Sequence, residues 1–259
     1  MALGPILAAM TGIVEDSQGA SAITLFVSAT PALGALLGLA AIALAGAYGV
    51  LTRRLTTPGM GLFCAGVAIG WPAFTGATCE ELIREAQSAG PLWIVSVEAL
   101  VVGVVGVAIS MRIMPRKEAD DEDALIGPQA ALGTAVSFLV AAIMAFLVAR
   151  EGTSGQNLAA TGIATMFAVA VGKSVAPGAS LIACVAGVLA VGVVGPAAGA
   201  ILQGNDIVQA SYLNELFPLA RLTPLDWLFG TWVGVPIGAS WAASMIEKKS
   251  DSKPSRARS

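Results

Sequence analysis

The amino-acid sequence predicts an all-α fold, a polytopic bundle of membrane-spanning helices. Of its 259 residues, 56% are hydrophobic and only 12% are charged, whereas an ordinary soluble domain has about 25% charged residues. The charged residues are also clustered, and the intervals between them are long enough to hold a bilayer span of about 20 residues. The uncharged intervals are 17–52, 55–79, 124–149, 152–172 and 174–205.

These intervals are rich in Ala, Gly, Val and Leu and show no alternation of polar and apolar residues, which favours helices over the strands of an outer-membrane barrel. We expect the 30 glycines and the many alanines to let helices approach closely, because helices in a bilayer associate by packing rather than by the hydrophobic effect. About seven spans are predicted, at about 29–51, 58–77, 91–114, 130–149, 158–176, 179–202 and 225–246.

The residues before the first span form a separate segment, 1–28. It opens with the apolar stretch MALGPILAAMTGIV, which lacks the positively charged start of a signal peptide. A stretch of 14 residues is also too short to cross a bilayer. We expect an interfacial or re-entrant segment on the outer side, with an eighth short helix as the alternative, in front of a single transmembrane domain at 29–246.

The distribution of Lys and Arg predicts the orientation. With seven spans, eleven basic residues fall on one side and three on the other, and such an excess marks the cytoplasmic side. We therefore expect a cell (inner) membrane protein with its N-terminus outside and its C-terminus in the cytoplasm. The basic, Ser-rich residues 247–259 predict a disordered tail that binds anionic lipid headgroups. The eleven are Arg53, Arg54, Arg112, Arg116, Lys117, Lys173, Lys248, Lys249, Lys253, Arg256 and Arg258, and the three are Arg84, Arg150 and Arg221.

Two connections carry most of the remaining polar residues. The inner loop 116–129 holds five acids within six residues and is interpreted either as a solvated loop or as a site for a cation or a partner. The outer connection 203–227 mixes apolar and polar residues and contains two prolines. It predicts a short amphipathic helix that lies on the membrane and caps the bundle.

The two halves of the chain resemble each other in two places. GVAIGWPAFTGAT at 66–78 aligns without gaps with AVAVGKSVAPGAS at 168–180, and VGVVG at 102–106 recurs at 191–195. The two matches are separated by different numbers of residues along the chain. A single insertion in the first half, the loop CEELIREAQSAG, accounts for the difference. Because each unit would hold three helices, an odd number, the second would enter the membrane from the opposite side. The sequence thus indicates an inverted 3+3 repeat plus one extra helix, with chance matches as the alternative in a chain this rich in Val, Gly and Ala.

Each of the first pair of aligned stretches contains a predicted helix break, at Pro72 and Gly76 in one and at Pro177 and Gly178 in the other. In transporters built from inverted repeats, broken helices form the binding site from backbone carbonyls and half-helix ends. The alternative is that both prolines only mark helix ends. The polar side chains that a site at the breaks would use are Thr75, Thr78, Lys173, Ser174 and Ser180.

Glu98 is the only acid in the interior of a predicted span, at about 10 Å from its outer end. A carboxylate at this depth is costly unless it is protonated or paired, so it marks a functional residue by default. Glu98 is interpreted either as a carrier of a proton or cation or as a neutral acid that bonds a neighbouring helix. Lys173 also has a second interpretation, since a lysine near the cytoplasmic end of a span can extend its ammonium group to the interface.

The chain has no histidine, and its three cysteines, Cys64, Cys79 and Cys184, lack the paired spacing of a metal site. Histidine is the commonest general base, metal ligand and haem ligand, and the chain therefore lacks the residue that most often fills these roles. Neither a phosphate-binding glycine loop nor a nucleophile beside a base is visible. We predict no enzyme activity, no metal, no cofactor and no nucleic-acid partner.

Two functions remain. The first is a small-solute or ion transporter or channel, with a polar site at the two breaks and Glu98 as a modulating group. The second is a non-catalytic structural or accessory subunit of a membrane complex, which would pack its small-residue faces against partner subunits or another copy of itself. The repeat favours transport, and the lack of a visible charged pathway favours the subunit.

Overall fold

The computed structural model describes residues 3–14, 26–76, 78–114 and 126–251, with side chains through Glu247. The regular secondary structure of these residues consists of helices without a strand ladder, which confirms the predicted all-α bundle. The helices are α1 (Leu3–Thr11), α2 (Pro31–Leu55), α3 (Pro58–Thr75), α4 (Cys79–Ala86), α5 (Gly90–Ile113), α6 (Pro128–Val148), α7 (Ser154–Val175), α8 (Leu181–Gln203), α9 (Ile207–Tyr212) and α10 (Pro224–Asp251).

Six segments of the described chain are long and apolar enough to cross a membrane, by length and composition, and they fit a multi-pass membrane protein. They are α2, α3 with α4, α5, α6, α7, and α8 with α9. The seventh predicted span, 225–246, lies within α10, which is the least apolar of the long helices and is not among the six. Long apolar side chains such as Leu36, Val104 and Leu139 are mostly exposed on the surface, as expected of helices that face lipid.

Prolines fix where several of these helices begin. Pro31, Pro58, Pro91 and Pro128 lie in the first turn of α2, α3, α5 and α6, respectively. The first turn of a helix has no internal partner for its N–H groups, so proline loses no hydrogen bond there. Proline therefore fixes where these helices start. Each observed start lies within a few residues of the predicted bound.

The helix α10 lies between α3 and α7 and also contacts α5 and α8. Its contact with α7 is the most extensive between any two helices of the described chain. On the side of α3, the ring of Phe229 lies against Gly70, and Val233 lies against Gly66. Because residue numbers rise along one helix as they fall along the other, α10 runs antiparallel to α3.

Three glycines spaced four residues apart, Gly230, Gly234 and Gly238, form the surface of α10 that faces α7. A Cβ atom at Gly234 would lie 2.7 Å from the carbonyl oxygen of Gly162, and Cβ atoms at the other two glycines would meet the α7 backbone more closely still. The contacts advance in the same direction along both helices, so α10 is parallel to α7. Close approach through small residues, which the composition predicts, is present at this interface.

The contacts between helices follow the same pattern in the two halves of the chain. In the first half, α2 packs against α3 and α5, which contact each other less; in the second, α6 packs against α7 and α8 in the same way. The halves meet through α5 and α8, and α10 contacts α3 and α5 of one half and α7 and α8 of the other. A 3+3 repeat with one extra helix would produce this pairing.

Two segments cover the end of the bundle at which α3 ends and α10 begins, called here the outer end after the predicted threading. One is α1, where Gly4 lies against the ring of Trp71; residues 15–25 of the same segment lie outside the described residues. The other is the connection 203–227, which contains α9 and a 3-10 turn, Pro218–Arg221, and packs on α8 and α4.

The contact between α7 and α10 can be tested with two alanine substitutions. Gly234→Ala is expected to lower the midpoint of thermal unfolding in detergent, because its Cβ would collide with the Gly162 carbonyl, at a cost of about 1–3 kcal/mol. Gly162→Ala is the matched control, since a Cβ there meets nothing within 4 Å. Both variants gain about 1 kcal/mol of helix propensity, so the difference between them isolates the packing. Equal midpoints would contradict the close contact.

Candidate functional site

The first predicted break coincides with the end of α3. Pro72 lies in the last turn, and the helix continues to Thr75. The Gly76 N–H donates to the Pro72 carbonyl at 3.0 Å, and Thr75 Oγ1 donates to the Trp71 carbonyl at 3.0 Å. These polar groups complete hydrogen bonds of the helix terminus, which fits the helix-end interpretation.

The second predicted break lies between α7 and α8, with Pro177 and Gly178 in the turn. Lys173 Nζ donates to the carbonyls of Pro177 at 2.8 Å and Ala179 at 2.6 Å. Ser174 Oγ donates to a carbonyl one turn back in α7 at 2.7 Å. The lysine therefore binds carbonyls just beyond the C-terminus of a helix, where a cation is favoured.

Thr78 and Ser180 are the N-caps of the helices that follow the two breaks. Thr78 Oγ1 accepts from the Glu81 N–H, and the Glu81 carboxylate accepts from the Thr78 N–H at 2.7 Å, which is a capping box. Ser180 Oγ accepts from the Ala183 N–H at 3.1 Å. Both side chains thus satisfy donors in the first turn of a helix.

The two breaks lie at opposite ends of the bundle. Each follows the C-terminal end of its helix, and α3 and α7 are antiparallel because α10 is antiparallel to one and parallel to the other. Near the first break, the ring of Phe74 is 3.8 Å from the position of a Cβ at Gly155, at the start of α7. The structure does not bring the polar side chains of the two breaks together, and their role in a transport site stays a prediction.

Glu98 lies in α5, and none of its surface is exposed. One of its carboxylate oxygens accepts a hydrogen bond from the backbone N–H of Phe26 at 2.9 Å. The next residue, Val27, packs against Leu82 of α4 and Val95 of α5. The segment that precedes α2 therefore lies over the outer part of α5 and covers the carboxylate.

A buried cluster of charged residues lies at the outer end. Arg221 is 2% exposed and Glu80 is 3% exposed, and Arg221 Nε is 3.4 Å from a Glu80 carboxylate oxygen. The guanidinium also donates to three carbonyls, those of Arg150 at 2.6 Å, Asn214 at 2.7 Å and Leu216 at 3.1 Å. Burial lowers the pKa of the Arg221 guanidinium and the neighbouring carboxylate opposes this shift, but an arginine side chain stays charged in proteins.

The Glu80 carboxylate is satisfied less well than its partner. Neither of its oxygens accepts a hydrogen bond of ordinary geometry from the described residues. The backbone of Gly152 lies directly against it, since a Cβ at Gly152 would collide with the carboxylate. Asn157, in the first turn of α7, donates to the Arg221 carbonyl at 3.2 Å. The cluster therefore joins α4, the connection after α6, the start of α7 and the 3-10 turn.

Asp226 fixes the start of α10 beside this cluster. Its carboxylate is buried and accepts from the Thr223 N–H and the Thr223 Oγ1, both at 2.8 Å. In return, the Asp226 N–H donates to Thr223 Oγ1 at 3.2 Å. This reciprocal cap is the arrangement that a Thr followed three residues later by an acid favours.

Glu80 and Arg221 are not among the candidate site residues predicted from the sequence. A signal for Arg221 was present, because it is one of only three basic residues on the predicted outer side. Both residues fall in polar connections, where charged side chains are ordinarily solvated. Their burial and pairing depend on how the connections fold onto the bundle, which the sequence does not display.

Within the part of the chain that the structure describes, no group of three or more His, Cys, Asp or Glu side chains could hold a metal ion. The acids at 118–123 and the tail 252–259 lie outside the described residues, so their proposed roles stay predictions. Comparisons with protein-family models, with curated proteins and with solved structures give no match.

Arg221→Gln is expected to lower the free energy of unfolding by about 3–5 kcal/mol, because it leaves the Glu80 carboxylate buried without a cation. Arg150→Gln is the matched control, since its exposed guanidinium can be replaced while its backbone carbonyl remains; its effect should be within about 0.5 kcal/mol. Denaturant unfolding in detergent, followed by tryptophan fluorescence, gives both values. A cost for Arg221→Gln no larger than that of the control would show that the pair does not stabilise the fold.

Proposed function

We propose that this multi-pass membrane protein is a small transporter, not an enzyme, that couples its solute or ion to a proton or cation at Glu98. The observation that carries the proposal is the position of the Glu98 carboxylate, which is fully buried in an apolar helix and bonded to the backbone N–H of Phe26. An ionisable side chain within a membrane helix is costly and marks ion or proton handling by default.

The hydrogen bond to Glu98 comes from Phe26, which lies outside the helices. Such a bond can change when Glu98 gains or loses a proton. A hydrogen bond from an amide N–H is stronger to a charged carboxylate than to a neutral acid, so protonation of Glu98 weakens its contact with Phe26. Because Phe26 and Val27 cover the carboxylate, a weaker contact gives Glu98 access to the outer side. The same event then links proton binding to movement of the cover.

The pairing of the helices supports this function. Two groups of three helices with the same internal contacts, and one further helix between them, fit the inverted-repeat architecture of many secondary transporters. Glu98 lies on α5, and α5 packs against α8 where the two groups meet. The proposed site therefore belongs to a helix that forms the contact between the halves.

A second function, a non-catalytic subunit of a membrane complex, is favoured by one surface. An apolar groove of about 680 Å³ opens between α6 and α8, and α6 has the smallest buried share of the six candidate spans. A groove with small residues in its walls would take a helix of a partner subunit or of a second copy. Its walls include Ala131, Thr134, Ala135, Phe138 and Gly187.

The transport proposal is tested with Glu98→Gln in liposomes. Glutamine keeps a carbonyl oxygen that can accept from the Phe26 N–H but cannot carry a proton, so proton- or cation-coupled flux is expected to fall to the level of empty liposomes. The variant should keep its melting temperature to within about 3 °C. Flux is followed with a pH-sensitive dye under an imposed ion gradient.

Glu215→Gln is the control for this experiment, because Glu215 is an exposed acid at the outer end, and it should leave the flux unchanged. Wild-type liposomes without any flux would refute the proposal. An unchanged flux in Glu98→Gln together with a lower melting temperature would assign Glu98 a structural role instead.

We further propose that the protein lies in the inner membrane with its N-terminus outside and its C-terminal tail in the cytoplasm, against anionic lipid. The excess of basic residues on one side supports this orientation. In a variant without its native cysteines, Ser255→Cys should react with an impermeant thiol reagent only after the cells are permeabilised. Reaction in intact cells would reverse the orientation.

A further inference from the structure

The Glu80–Arg221 pair connects the two halves of the bundle at the outer end. Glu80 belongs to α4, which lies between α3 and α5 of the first half. Arg150 follows α6 of the second half, and its carbonyl accepts from Arg221 at 2.6 Å. Arg221 itself lies just before α10. One guanidinium therefore bridges both halves and the start of the extra helix.

The two partners of this pair are held unequally. Arg221 donates to carbonyls of its own connection and of Arg150 and would keep these bonds if Glu80 moved away. Glu80 depends on the ion pair, because its oxygens accept no hydrogen bond of ordinary geometry from the described residues. At the other end of α4, Arg84 Nε donates to the Ser211 carbonyl at 3.1 Å. Without the ion pair, the first turn of α4 is held to the bundle only by the apolar packing of Cys79 and Ile83, while the last turn keeps its bond from Arg84.

The helix α4 is also in contact with the cover of Glu98. Leu82, near the middle of α4, packs against Val27 and Val95. The neighbour of Val27, Phe26, donates its N–H to Glu98. A displacement of the first half of α4 therefore removes a support of the segment that closes off the carboxylate.

We propose that the Glu80–Arg221 pair is the outer latch of the transport path. While the pair is formed, α4 holds the Phe26–Val27 segment in place and Glu98 is closed to the outer side. When it separates, the first turn of α4 moves away and the path opens. This latch rests on the proposed function, because the path that it closes is the proposed transport path. The movement of α4, however, can be measured without measuring transport.

Two native cysteines report the movement. Cys79 lies beside Glu80 in α4 and Cys184 lies in α8 beside Gly172, toward the opposite end of the bundle, and both are fully buried. The full-length chain is prepared with Cys79 or Cys184 as its single cysteine, and its reaction rate with a maleimide is measured in detergent at fixed pH. We expect Glu80→Gln to speed the reaction of Cys79 by about tenfold or more and to leave Cys184 within about twofold, since the opening is local. Loss of the neighbouring negative charge by itself also favours the reactive thiolate, so a second variant that keeps the charge decides the outcome.

Gly152→Ala gives an independent perturbation, because its Cβ displaces the Glu80 carboxylate without removing a charge. It should raise the Cys79 rate in the same direction, whereas Glu215→Gln should leave it unchanged. An unchanged Cys79 rate in Gly152→Ala would overturn the latch, whatever the rate in Glu80→Gln. Equal acceleration of Cys184 would also overturn it, since the pair would then act on global stability.

The flux measurement on Glu98→Gln separates this inference from the proposed function. A faster Cys79 reaction in a protein that shows no flux supports the movement of α4 and refutes transport. Flux that depends on Glu98, with an unchanged Cys79 rate in both variants, supports transport and refutes the latch.

Discussion

The close contact between α7 and α10 is the constraint on which the rest of the fold depends. Gly230, Gly234 and Gly238 bring the α10 backbone directly against α7, so this interface is held by dense van der Waals packing. It places the least apolar of the long helices among the others, where some of its polar groups find partners inside the bundle. The indole of Trp232, for example, donates to Ser110 Oγ at 3.1 Å.

The position of α10 also determines what forms at the outer end. Thr223 and Asp226 cap the helix, and the preceding turn places Arg221 over the ends of both halves. Once this guanidinium is buried, it needs oxygen acceptors, and the connections supply them as backbone carbonyls and the Glu80 carboxylate. The outer connections are therefore folded onto the bundle by charge-assisted hydrogen bonds rather than by apolar packing alone.

Hydropathy and proline positions are sufficient to predict the long helices and their order, because an apolar run of this length has one favourable form in lipid. The partner of each helix is not predictable in the same way. The stretch GTWVGVPIG displays the glycine spacing of α10, but not that it faces α7. Glu98 can be identified from the sequence because it lies deep within a predicted span. Glu80 and Arg221 are far apart in the sequence, and their environment arises only from the tertiary fold. At Pro72, the sequence locates the interruption but does not distinguish a break from a last turn.

The glycine contacts also restrict how access to Glu98 can arise. Rocking of two repeats requires each half to move as a body, but α10 is packed against both α3 and α7, where Gly66 and Gly234 leave no room for displacement. Such rocking would have to disrupt at least one of these close-packed interfaces, since α10 can move together with only one half. The outer connections are held by side-chain bonds and by one small apolar cluster, which open at a lower free-energy cost than long packed helices. Displacement of α4 and the Phe26–Val27 segment, with the long helices fixed, is therefore the route to the carboxylate that this packing favours.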